Sequence, residues 1–113
     1  MLISIPIPQK ISTNAFYSQS LHWSKRKKLA DLYHMALIEH RNKRITDFPC
    51  ELTFIYTFKG KLLDVSNCSI MTKMLEDGLV AWKIIPDDTL EFVSAHHIYV
   101  KKGKNDSVNI HIS

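Results

Sequence analysis

The sequence predicts a two-layer α/β domain in the order β-α-β-α-β-β, with a mixed or mostly antiparallel sheet and two helices packed on it. Three observations predict it. Between Cys50 and Lys59 the chain alternates, with Leu52, Phe54, Tyr56 and Phe58 on one face and Glu51, Thr53, Ile55, Thr57 and Lys59 on the other, which is the period of a half-buried strand. Two stretches, 24–41 and 67–83, place apolar residues at three- and four-residue spacing, the period of an amphipathic helix. Two β-rich runs, 92–101 and 107–112, close the chain around a short link containing Gly103.

Taken in order, residues 2–7 read as a short strand, and Pro8 to Ser20 as a connection rich in turn formers, in which Asn14 and Tyr17 are the side chains best suited to recognition. The first helix opens near Ser24, with Leu29, Tyr33, Ala36 or Leu37, and His40 on its buried side. Lys25, Arg26, Lys27 and Lys28 fill its first turns, where four cations oppose the positive end of the helix dipole and favour an anion arriving from outside. His22-Trp23 can stack on a sugar or base; the preferred expectation is that Trp23 anchors the helix start in the core.

The second helix buries Met71, Met74, Leu75, Gly78 and Trp82, with Ile70, Lys73 and Asp77 on a neighbouring stripe and Ser66 or Asn67 as its cap. Pro86-Asp87-Asp88 makes a turn. The last two strands are expected to form an antiparallel hairpin.

A chain of 113 residues is read as one domain, 1–113, in which binding and chemistry share the same elements. Charge is unevenly distributed. Residues 1–59 carry nine Lys or Arg against four acids, and residues 60–113 carry six against seven. This suits a basic surface that gathers a polyanion beside an acidic pocket. Cys50 and Cys68 lack CxxC spacing and read as reduced thiols in or near the core. The N-terminus has no basic leader region and no segment approaches the ~18 apolar residues of a membrane span, so a cytoplasmic location and no membrane partner are expected. His96-His97 lies mid-strand with the two rings on opposite faces, and so does not form a joint metal site.

The chemistry-bearing stretch runs from Asp64 to Asp88. Phosphodiester cleavage at neutral pH requires a Lewis acid on the phosphate and an activated water, and magnesium held by a few carboxylates supplies both. Asp64, at a strand end, and Asp87-Asp88, after the intervening helix, converge if that helix folds back on the sheet. Lys73 then faces the same pocket and can stabilise charge on the phosphate. Singly, each has a structural explanation: Asp87-Asp88 is good turn chemistry, and Lys73 with Asp77 is an ordinary helix-surface ion pair.

The pattern Asp64-x-Ser66-Asn67, Lys73-x-x-x-Asp77-Gly78-Leu79-Val80, then Asp87-Asp88 ahead of Val93, resembles the RusA-like Holliday junction resolvases, whose motifs are D-x-D-N, K-x-x-x-D-x-L, and D-D with a following V. Thr13-Asn14-x-x-Tyr17 and His22-Trp23-x-x-Arg26-Lys27 look like a phage and prophage subgroup. The resemblance implies catalytic roles for Asp64, Lys73 and Asp88, and magnesium, with manganese as substitute, on Asp64, Asp87 and Asp88. It also implies a homodimer that nicks two strands of a four-way DNA junction symmetrically. Asn14, Tyr17, Lys25, Arg26, Lys27, Lys28 and Asn67 are the expected DNA contacts. Ser66 stands where the family has its second Asp, leaving a hydroxyl as a weak or water-mediated ligand and removing one negative charge. The alternative expectation is therefore a structure-selective DNA-binding protein with impaired catalysis.

Overall fold

A computed structural model describes residues 1–18 and 22–113. The strands are β1 (Leu2–Pro6), β2 (Cys50–Phe58), β3 (Val93–Lys102) and β4 (Ser107–Ile112), and the helices α1 (Thr13–Phe16), α2 (Trp23–Met35) and α3 (Ser69–Ala81). Short 3-10 turns follow α2 at Ile38–His40 and precede α3 at Val65–Cys68. The predicted class therefore holds, with α1 as an added turn of helix in the expected irregular connection.

The alternation in β2 does what its period requires. Leu52, Phe54, Tyr56 and Phe58 are fully buried beneath the helices, joined by Ile3 and Ile5 of β1 and by Val108, Ile110 and Ile112 of β4. The opposite face of β2 is half-buried or exposed, so the helices cover one side of the sheet. Cys50 and Cys68 are buried free thiols, and burial pushes the Cys68 thiol up to about 11.

Strand order corrects the expected hairpin. The sheet runs β1-β4-β2-β3, with β2–β3 parallel and β4 antiparallel to both β2 and β1. Thus β3 and β4 do not pair, because β2 lies between them. Two strand spacings are about 10 Å, which the four-residue link 103–106 spans easily. The link crosses the end of β2, where Gly103 N–H donates to the Phe58 carbonyl at 3.0 Å and Lys59 N–H to Asp106 Oδ1 at 2.8 Å. A β-carbon at Gly103 would collide with Thr57 Cγ2, so this crossing requires glycine.

The helices also depart from their expected bounds. α2 stops at Met35 rather than near Arg41, because Leu37 leaves helical geometry (φ −92°, ψ 2°) and turns fully buried onto α3. There the two helices approach closely, and a β-carbon on Gly78 would lie 2.7 Å from Leu37 Cδ1 and 3.5 Å from His34 Cα. Trp82 Nε1 donates to the His34 carbonyl at 2.7 Å across the same contact. No helix among the described residues is long and apolar enough to cross a membrane.

Candidate functional site

The helix α3 delivers Lys73 to the surface and folds the following turn back onto it. Lys83 takes a left-handed conformation (φ 61°), Lys83 N–H bonds the Val80 carbonyl and Ile84 N–H the Leu79 carbonyl, both at 2.9 Å, which closes the helix as a Schellman motif. Ile84 and Ile85, both fully buried, then pin the returning chain, and Pro86 carries it outward. Asp88 arrives beside α3. Lys73 Nζ lies 3.2 Å from Asp88 Oδ2 and 3.0 Å from Asp77 Oδ1. Asp87 Oδ1 accepts from Asp88 N–H at 2.7 Å and fixes the turn.

These contacts set the charge states. The Asp77 carboxylate beside it, opposed by slight desolvation and reinforced by Asp88, holds Lys73 above the usual lysine range. The Lys73 ammonium holds Asp88 below the usual carboxylate range. At neutral pH Lys73 is therefore a cation that donates hydrogen bonds rather than a base, and Asp88 is an anion able to bind a metal or accept from water. In Lys73→Met the Asp88 carboxyl is expected to titrate at higher pH than in the native protein, read by carboxyl-carbon NMR; an unmoved titration removes Lys73 as the cause. The lowered Asp88 pKa contributes stability that is present above the unfolded carboxylate's pKa and is lost as pH falls through the folded value. With side chains 55% and 34% exposed, that contribution is small.

Below Asp88 lies a cleft of about 290 Å³ lined by Glu76, Asp88, Val93, Ser94, Ala95 and His96. His96, on the helix side of β3, places Nε2 2.5 Å from Oε2 of the buried Glu76, while His97 on the other face meets Glu51 at 2.9 Å. Sequence reasoning passed over Glu76. The available signal was an acid in phase with Thr72, one turn earlier on the otherwise apolar face of α3, because a buried carboxylate needs a partner.

The start of α3 is bolted to α1. Neither Ser66 nor Asn67 caps the helix as expected. Thr13 does so from outside: its Oγ1 accepts from Ile70 N–H at 3.1 Å, lies 2.8 Å from Ser69 Oγ, and donates to the Asn67 carbonyl at 3.2 Å. Asn14 N–H meets Asn67 Oδ1 at 3.4 Å. One hydroxyl thus fixes α1 against the turn that follows Asp64.

The expected DNA contacts divide into two kinds. Asn14, Tyr17, Lys25, Lys27 and Lys28 are exposed and Asn67 is half-buried, whereas the half-buried Arg26 lies over the Phe16 and Tyr17 rings (5.6 and 5.7 Å) and donates to the Ser18 carbonyl. Trp23 corrects the expected core anchor. It is 68% exposed, and Leu29 and Tyr33 perform the anchoring instead.

The carboxylates expected to bind metal are only partly gathered. Asp87 and Asp88 are adjacent, but Asp64 precedes the 3-10 turn, its carbonyl accepting from Asn67 N–H at 2.9 Å and its exposed carboxylate, like the Ser66 hydroxyl, making no hydrogen bond or ion pair among the described residues. No three His, Cys, Asp or Glu side chains among the described residues are placed to hold one ion. Magnesium is commonly held by one or two carboxylates with waters and substrate phosphates rather than by an all-protein cage, and Asp87 and Asp88 are the two carboxylates that this turn could offer. Comparison of the chain with models of known protein families gives no match, and comparison with curated proteins gives none either.

Proposed function

We propose that the chain is a magnesium-dependent endodeoxyribonuclease acting on branched DNA of the four-way junction type, working as a homodimer whose protomers nick opposed strands, in a cytoplasmic setting. The observation that carries this reading is the meeting of Lys73 with Asp88, fifteen positions apart in the chain, at 3.2 Å. A second support is continuity: Arg26 of the basic helix stacks on α1, and Thr13 of α1 holds the motif that opens α3. A phosphate backbone following the exposed lysines is thereby led toward the acidic turn.

Asp87 and Asp88 would hold magnesium, which would supply charge neutralisation at the phosphate and activation of water. Asp88, held below the usual carboxylate range by Lys73, would be a ligand to that ion and an acceptor of a hydrogen bond from water. Lys73 donates to a phosphate oxygen as negative charge grows there. The direct experiment is a labelled four-way junction incubated with magnesium or manganese; a folded, dimeric protein that nicks nothing overturns the proposal.

Charge reversal of Lys27 and Lys28 to Glu is expected to weaken junction binding and to lower the slope of log affinity against log salt by about 2, since each lost phosphate contact removes about 0.9 of counterion release. An unchanged slope places the DNA elsewhere.

Ser66 supports a second reading, a junction-binding protein with impaired cleavage, because a neutral hydroxyl stands where the D-x-D-N pattern it resembles has its second acid. Ser66→Asp is expected to raise nicking most strongly when magnesium is limiting. Cleavage that is unaltered by the added carboxylate removes this second reading.

A further inference from the structure

We infer that Tyr17 and Trp23, linked through Arg26, form a stacking platform for unpaired nucleotides, so that the protein holds the single-stranded character of a branch point rather than duplex alone. The inference rests on the DNA-directed reading above and names the part of the DNA that this surface takes.

Two large aromatic rings are left in water, one at each end of the connection from α1 to α2. Tyr17 is 60% exposed at the end of α1 and Trp23 is 68% exposed at the start of α2. Trp23 and Arg26 are three residues apart on one helix and therefore share a face, and the Arg26 guanidinium lies 5.7 Å over the Tyr17 ring. Arg26 also covers the buried Phe16, which packs edge-on to Tyr17 at 5.1 Å and holds that ring in place. The platform is thus pre-formed on its Tyr17 side.

Its charge selects the occupant. Lys25, Lys27 and Lys28 are exposed immediately beyond Trp23, and Asp31 is the only acid in α2. Exposed aromatic rings set among cations, with His22 tilted against Trp23 at 5.6 Å and Arg26 over Tyr17 at 5.7 Å, match a strand whose bases stack on the remaining ring surface while its phosphates pair with lysines. A paired duplex hides the faces of its bases, so only unpaired nucleotides satisfy both parts. An anionic lipid surface would also accept Trp beside Lys. The bond network from α1 through Thr13 to Asn67 and Ser69 favours nucleic acid, because it ties the platform to the 3-10 turn that follows Asp64 and to α3, which carries Lys73.

The test uses the whole protein, with tryptophan fluorescence and anisotropy as readouts. The probes are a thymidine oligonucleotide of about twelve nucleotides, a blunt duplex of equal length, and vesicles containing phosphatidylserine. The single strand is expected to quench fluorescence and to bind tighter than the duplex. Trp23→Ala and Tyr17→Ala should each weaken it about tenfold or more, while Tyr17→Phe retains it, since stacking uses the ring. Both positions are exposed, so unchanged melting of the variants separates lost stacking from lost folding. Equal affinity for duplex and single strand, unchanged affinity in Trp23→Ala, or Trp23-dependent binding to vesicles alone each overturns the inference. The two readings fail separately: single-strand quenching in a protein that never nicks a junction leaves the platform standing, and junction nicking with no effect of Trp23→Ala leaves only the nuclease.

Discussion

Lys73→Met is expected to lower magnesium-dependent nicking of a four-way junction by about 10²–10³-fold, the usual cost of removing one pre-placed donor to developing charge. Junction affinity should change little, because one partly exposed lysine among many cations carries a small share of ground-state binding. Single-turnover cleavage and junction affinity, measured side by side, check both halves. A Lys73→Met protein that cleaves normally removes Lys73 from the chemistry and leaves the ion pair with Asp77 and Asp88 as a surface contact. The same substitution leaves Asp88 without its cation, so the NMR titration and the kinetics report on one pair from two sides.

The largest stability effect is expected at the crossing of α2 and α3. Gly78→Leu places a branched side chain where a β-carbon alone would come 2.7 Å from Leu37 Cδ1, 3.4 Å from His34 Cδ2 and 3.5 Å from His34 Cα. The methyl of Leu37 can rotate away, but the backbone of His34 cannot. Overpacking of this kind costs about 2–3 kcal/mol, which for a domain of this size lowers the melting temperature by roughly 10 °C or more. Gly78→Ala is expected within about 1 kcal/mol of the native protein, since the helix-propensity gain offsets the shift of Leu37. Chemical denaturation of the two variants tests the contrast; a Gly78→Leu protein as stable as Gly78→Ala would show that the helices part without cost.

Much of this was legible before the fold was known. The alternation of β2 predicted its inward row, because side-chain direction in a strand is set by local geometry. The buried stripe Met71, Met74, Leu75 and Gly78 followed from helical period, since residues three and four apart share a face. Lys73 and Asp88 were each readable as chemistry-bearing types, and their order with Asp64 and Asp87 carried the resemblance.

What the sequence alone determined is therefore the class of the four strands and the two long helices, the inward rows of β2 and α3, and the residue types available for phosphate chemistry. All are consequences of short-range geometry. Tertiary structure decided the rest: β2 between β3 and β4, Trp23 in solvent, Thr13 capping α3 from a distant segment, Glu76 against His96, and Asp88 brought to Lys73 ahead of Asp64. The physical reason is common to them. Each depends on contacts between residues far apart in the chain, where a four-residue link can turn back as a hairpin or step across a strand at similar local cost, and where burial of the whole core selects between them.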